Sequence, residues 1–152
     1  MGHTTSIGVD FQAEGNAFFR EGQYERASVR YHHAITYFEY AIAETDAQQD
    51  ELDAVRLPVY SNFAACMLKL GSLDQAFNYC AQSLRIDPDN VKALYRKAQV
   101  LRKKEKLDEA RAVVKAALVR DPQNVALRAE LGKIRQRIAS YHRNSKSMGA
   151  AT

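Results

Sequence analysis

The chain has no tryptophan, and its 152 residues include only two cysteines, three prolines and seven glycines. No apolar run approaches the roughly 20 residues that a membrane-crossing helix needs, so no membrane segment is expected. The opening residues, Met1-Gly2-His3-Thr4-Thr5, lack the basic start and apolar stretch of a secretory leader. Cys66 and Cys80 fall inside amphipathic stretches without metal-ligand spacing. They read as reduced core thiols of a cytoplasmic protein, not as a disulfide. His32 and His33 are adjacent, about 100° apart on a helix, and poorly placed to share a metal. There is no glycine-rich phosphate loop, metal constellation or nucleophile–base pair at a telling spacing, so neither enzymatic activity nor a cofactor is expected.

Lysine is missing from the first 68 residues, which carry 4 Arg against 10 acids, a balance of −6. The remaining residues carry 18 basic side chains against 8 acids, so the overall charge of +4 hides a split. Such an imbalance fits either an anionic partner for the second half or a solvated basic face. No recognised nucleic-acid module accompanies it, and nucleic acid is not an expected partner.

What the sequence does contain is an internal echo. Residues 57–90 and 91–124 form two copies of 34 residues, with Ala76 and Ala110, Pro88 and Pro122, and Asn90 and Asn124 at equal places. The junctions share a phrase, Asp87-Pro88-Asp89-Asn90 against Asp121-Pro122-Gln123-Asn124. A period of this length marks the tetratricopeptide repeat (TPR), one helix–turn–helix hairpin per copy. An earlier copy follows the same order of large and small residues through Phe11, Gly15, Phe18, Ala27, Tyr31 and Ala34. Between Ala27 and Ala76 lie 49 positions instead of 34, so 15 residues are inserted between the first two repeats.

Apolar spacing near 3.6 predicts helices over residues 9–21, 24–43, 51–70, 73–86, 91–104 and 107–120. A seventh runs from 125 to 141 or beyond. The insertion, at about 44–56, reads as a lengthened second helix followed by a short acidic loop. Gly71 supplies a left-handed helix stop, and Ser72 is the expected cap of the helix after it. Each Asp-Pro pair ends a hairpin. In the seventh helix Leu127, Leu131, Ile134, Ile138 and Tyr141 form one apolar stripe. That stripe suits the terminal unit that covers the last hairpin of a repeat array. The ends, 1–7 and about 144–152, are expected to fray, and Lys103-Lys104-Glu105-Lys106 to form a solvated corner. The expected architecture is all-α, a single domain over 1–152: a TPR solenoid of three repeats (about 8–43, 57–90 and 91–124) and a capping helix (about 125–143). Stacked hairpins of this kind make a concave groove suited to a peptide.

Several polar residues fall on inner faces where the scaffold does not require them: Asn16, Asn62, and Lys92 with Arg96 one turn on. These positions resemble the two-carboxylate clamp of TPR co-chaperones, which grips the acidic C-terminus of heat-shock protein 90 or 70. The family pattern is Lys-x-x-x-Asn, then Asn, then Lys-x-x-x-Arg. This chain reads Gln12-x-x-x-Asn16, Asn62 and Lys92-x-x-x-Arg96, departing only at Gln12. Glu14-Gly15-Asn16-Ala17-Phe18-Phe19-Arg20-Glu21-Gly22-Gln23-Tyr24, the insertion, and Asp89-Asn90-Val91-Lys92-Ala93-Leu94-Tyr95-Arg96-Lys97-Ala98 look most like the TPR region of large FKBP-type immunophilins. The isomerase domain typical of that family is not among these residues.

The resemblance implies an adaptor that docks on a chaperone tail. Asn16 and Asn62 would donate to the terminal carboxylate, Lys92 would face the aspartate side chain, and Arg96 would offer a fork to an upstream glutamate or carbonyl. Phe19, Arg20 and Lys69 would border the groove. Gln12 donates hydrogen bonds but cannot neutralise charge. One alternative is a TPR scaffold for another protein partner, with a degenerate clamp. Another is calmodulin binding by the basic, amphipathic last helix.

Overall fold

The structure is a computed structural model that describes residues 2–150. Its elements are α1 (Gly2–Arg20), α2 (Tyr24–Tyr40), α3 (Asp46–Leu70), α4 (Leu73–Ile86), α5 (Val91–Lys103), α6 (Leu107–Arg120) and α7 (Val125–Ala150), with no strand among the described residues. Two compact units divide the chain after Ala93.

In the first unit α1 packs on α2, α2 on α3 and α3 on α4, and α1 also meets α3. Ala27 and Ala76, the small residues of the repeat pattern, are fully buried, as is their counterpart Ala110 in the second unit. At each of these places only a methyl group is buried between close helices, which is why the same residue returns in all three copies. Gly22 and Gly71 take positive φ (76° and 78°) in the turns after α1 and α3. The following residue then donates its N–H back five positions, Gln23 to the Phe18 carbonyl and Ser72 to that of Met67, closing each helix end.

The turn after α5 is built the same way, with Lys106 donating to the Leu101 carbonyl, yet its positive-φ residue is Glu105 (φ 61°). A side chain is disfavoured there. The Glu105 carboxylate is instead used by α7, accepting from Arg137 Nε at 2.9 and 3.0 Å. The 103–106 corner is therefore not merely solvated, because Glu105 fastens the turn to the last helix.

The shared junction phrase is a capping device. Asn90 Oδ1 accepts from the Ala93 N–H at 2.9 Å, and Asn124 Oδ1 from the Leu127 N–H at 3.0 Å. Each satisfies a donor left open at a helix start. Ser72 departs from expectation: it occupies the N-cap position of α4 without a side-chain bond.

Four boundaries differ by three residues or more from those read in the sequence. α1 begins at Gly2, so residues 2–7 are helical and not frayed. α2 ends at Tyr40, three residues before the expected 43, with Ala41 extended at ψ 131°. α3 begins at Asp46, not 51, and takes most of the inserted residues: it has 25 residues against 13 in α5, while α2 has 17 against 14 in α4 and α6. The cause is local. Thr45 Oγ1 accepts from the Gln48 N–H at 3.1 Å, and Gln48 Oε1 accepts from the Glu44 N–H at 2.8 Å, a reciprocal cap that starts a helix early. Arg56 Nη2 donates to the Phe38 carbonyl at 2.9 Å, satisfying an acceptor at the closing end of α2. Finally, α7 runs to Ala150, past the expected 143; residues 151 and 152 lie outside the described residues.

In the second unit α7 packs on α6 and buries Leu127, Leu131 and Ile134 of its stripe, while Tyr141 remains 64% exposed. Glu130, only 1% exposed, accepts from Arg102 Nε of α5. Its other carboxylate oxygen, Oε2, is buried without a hydrogen-bond partner.

Candidate functional site

The sequence Gly15-Asn16 on α1 sets the geometry. Gly15 has no side chain, and the ring of Tyr31 on α2 fills that space; a β-carbon there would lie 2.7 Å from Tyr31 Cε1. With the ring so close, the Tyr31 hydroxyl donates to Asn16 Oδ1 at 2.7 Å. Asn62 on α3 donates from Nδ2 to the same oxygen at 3.0 Å. One carbonyl oxygen thus receives hydrogen bonds from two other helices, 15 and 46 residues away in sequence.

The neighbours hold this arrangement in register. Tyr31 is 1% exposed, and its ring lies 5.9 Å from that of Phe63, next to Asn62 on α3. Phe63 in turn stacks on Tyr79 of α4 at 4.0 Å. Further along, the Cys66 thiol donates to the Tyr24 carbonyl at 2.9 Å, tying α3 to the start of α2. Burial pushes the Cys66 thiol up to about 11. Cys66 and Cys80 are both free, buried thiols, as the sequence suggests.

Because the Asn16 oxygen is engaged twice, its NH2 group is the part left to act. Among the described residues neither Asn16 amide hydrogen has an acceptor, and Asn62 keeps its second amide hydrogen uncommitted. Both side chains are half-buried. Paired amide donors in such a setting suit a carboxylate, whose oxygens accept several hydrogen bonds at once.

The other sequence-derived candidates are placed as follows. Gln12 lies one turn before Asn16 on α1 and is half-buried. Lys92 is exposed and Arg96 half-buried, one turn apart on α5. Phe19 is half-buried with its ring edge-on to Tyr24 at 5.2 Å. Arg20 and Lys69 are exposed at the closing turns of α1 and α3. The structure brings Asn16 and Asn62 together. It adds a residue that sequence reasoning did not assign to the site, Tyr31, whose only signal was an aromatic at the repeat position facing a glycine.

The tetratricopeptide repeat family matches residues 67–134. Bovine peptidyl-prolyl cis-trans isomerase FKBP4 is 31% identical over 136 residues, 90% of this chain but 30% of its own length. The chain spans about 30% of the length of the curated relatives it first matches. Among solved structures, the Hsp90 co-chaperone Cns1 from Saccharomyces cerevisiae superposes with a TM-score of 0.86 at 23% identity, over 99% of this chain and 45% of that one. The first TPR of Spaghetti (RPAP3), solved with the HSP90 peptide SRMEEVD, superposes with a TM-score of 0.73 at 21% identity, over 89% and 95%. These structural likenesses are likenesses of fold.

Proposed function

We propose, from the premise that this chain is a tetratricopeptide-repeat domain, that it is a protein-interaction module for the acidic C-terminal tail of heat-shock protein 90 or 70. The observation that carries this reading is the shared hydrogen bond of Asn16 and Asn62, which leaves amide N–H groups from two repeats ready for a terminal carboxylate. In this reading Lys92 and Arg96 of α5 supply the cations and Gln12 an uncharged donor, while Phe19, Arg20 and Lys69 are peripheral. The repeats and last helix over 1–152 act as one adaptor module that brings whatever is joined to it onto the chaperone.

None of the described helices is long and apolar enough to cross a membrane, and in this reading the module works in the cytoplasm. A repeat scaffold for a different protein is favoured by one residue, Gln12, which removes a positive charge from the pattern. Calmodulin binding by α7 is disfavoured by the burial of Leu127, Leu131 and Ile134, which would have to leave their packing.

Calorimetric titration with the peptide Ser-Arg-Met-Glu-Glu-Val-Asp tests the proposal. Saturable binding that weakens with salt and largely vanishes in Arg96→Ala is expected. A peptide ignored by the wild-type chain at low salt sinks it.

A further inference from the structure

We infer that the cleft formed by the end of α5, the turn after it and α7 is an anion site, built for a phosphate monoester. It lies wholly within the second unit and uses none of the residues assigned to the peptide, so it stands or falls independently of that reading. The cleft encloses about 340 Å³, inside the range of roughly 300–1,000 Å³ typical of small-ligand sites. Arg102 and Lys103 line it from α5, and Lys133 and Arg137 from α7.

Sequence and packing bring these groups together. On α7, Lys133, Arg137 and Ser140 follow at steps of four and three, which puts them on one face of the helix. Ser140 and Gln136 add neutral donors to the lining. Arg102 and Lys103 are the last two residues of α5. Both arginines are held by carboxylates. Arg102 Nε donates to buried Glu130, while Arg137 donates from Nε at 2.9 Å and from Nη2 at 2.8 Å to Glu105. Each guanidinium keeps further N–H donors, and its position is fixed before a ligand arrives. Lys103 and Lys133 are exposed and make no ion pair among the described residues.

Charge selects the class of ligand. The lining side chains carry four positive charges and one negative, and Glu130, bound to Arg102, lowers the surplus to two. A phosphate monoester carries close to two negative charges near neutral pH, with three acceptor oxygens. A single carboxylate leaves half of the surplus unmatched. Donors arriving from two helices also suit a tetrahedral group better than a planar one. The ester can belong to a small molecule or to a phosphoserine of another protein, since both present the same group. Glu105 is the built-in competitor. Its carboxylate occupies part of the Arg137 fork, from a turn position with φ 61° that favours glycine. Removing that carboxylate frees donors for the ligand while the turn keeps a residue suited to it.

The experiment titrates the full chain at constant ionic strength with three probes. These are glycerol 3-phosphate, a neutral peptide carrying one phosphoserine, and succinate as the dianionic carboxylate control. Backbone NMR shifts report both affinity and location, and circular dichroism confirms the fold of each variant. Saturable binding of a phosphate probe is expected, with shifts centred on 102–105 and 133–140; the tighter phosphate probe names the source. Lys103→Gln with Lys133→Gln should stay folded and weaken that binding by about tenfold or more. Glu105→Gly should tighten it by about tenfold, and Glu105→Gln keeps the test intact should the glycine variant fold poorly. Succinate bound as tightly as the phosphate probes, an unchanged affinity in the lysine variant, or folded Glu105 variants that bind no more tightly than wild type overturns the proposal. So does a wild-type chain that ignores both phosphate probes, whatever it does with the Ser-Arg-Met-Glu-Glu-Val-Asp peptide.

Discussion

Tyr31 lies so close to Gly15 that any side chain at position 15 must move it, since a β-carbon would sit 2.7 Å from Cε1 and 2.8 Å from Cδ1 of the ring. The same ring delivers the hydroxyl that holds Asn16. Packing and recognition therefore share one contact. Gly15→Ala sets a helix former against an overpacked interface: alanine gains up to about 1 kcal/mol of helix propensity, and overpacking costs about 1–3 kcal/mol. Overpacking wins because Tyr31 is buried against Phe63 and has little room to retreat. The expected result is a net loss of stability in urea unfolding, together with weaker peptide binding. A variant at least as stable as wild type would show that the ring relaxes freely.

Gln12 is the position at which the pattern lacks a cation. It is half-buried one turn from Asn16, on the helix that carries the presented amide. Exchanging it for lysine replaces a neutral donor to the peptide's anion by a cationic one, turning a bond with one charged partner into an ion pair. Gln12→Lys is expected to tighten the Ser-Arg-Met-Glu-Glu-Val-Asp peptide by about tenfold at low salt. Because the gain is electrostatic, it should shrink as salt is raised. Calorimetry at two salt concentrations decides it, and a salt-independent gain would point to packing.

How much of this was legible beforehand depends on the range of the contact. Ala27, Ala76 and Ala110 were readable as one repeated role, and all three are fully buried. The Asp-Pro-x-Asn phrase was readable as a junction, but not as a cap, because capping requires knowing where Asn90 and Asn124 point. The insertion was visible as a change of spacing, yet apolar Ile42 suggested that α2 continued. In the fold Ile42 is 75% exposed, and the Thr45–Gln48 cap hands most of the extra residues to α3. Glu105 shows the limit most plainly. Gly71 and Glu105 stand one 34-residue period apart in the same kind of turn, and only the ion pair to Arg137, 32 residues away, accounts for a glutamate there. The site followed the same rule. Asn16 and Asn62 were named from their repeat positions, whereas their shared oxygen and its bond from Tyr31 come from packing across three helices.

Cys66 gives a pH dependence with a definite sign. Its thiol is fully buried, donates to the Tyr24 carbonyl, and is pushed by burial from an ordinary value of 9.0 to about 11. Between those values the unfolded chain loses a proton that the folded chain keeps. This contribution to stability is therefore fully present below about pH 9 and is lost as pH rises toward about 11. Chemical unfolding across that window should show a decline that Cys66→Ala lacks. At pH 8 a thiol reagent should label Cys66 only under unfolding conditions, and rapid labelling of the native chain would contradict the burial.

The Arg102–Glu130 pair is the strongest stability test in the second unit. Glu130 is 1% exposed and Arg102 is 22% exposed at its side chain, so both charges have lost most of their water. Glu130 keeps one oxygen, Oε2, buried without a partner. Taking away one member of such a pair leaves an uncompensated buried charge, at about 3–5 kcal/mol. Arg102→Ala is expected to lose stability on that scale, and to loosen α7 from the end of α5, seen as faster amide exchange around Leu127 and Leu131. Replacing both residues by apolar ones should recover most of the loss, because the unsatisfied oxygen disappears with the charges. If Arg102→Leu with Glu130→Leu is no better than Arg102→Ala alone in urea unfolding, then shape at this contact, and not the desolvated charge, is what holds the last helix in place.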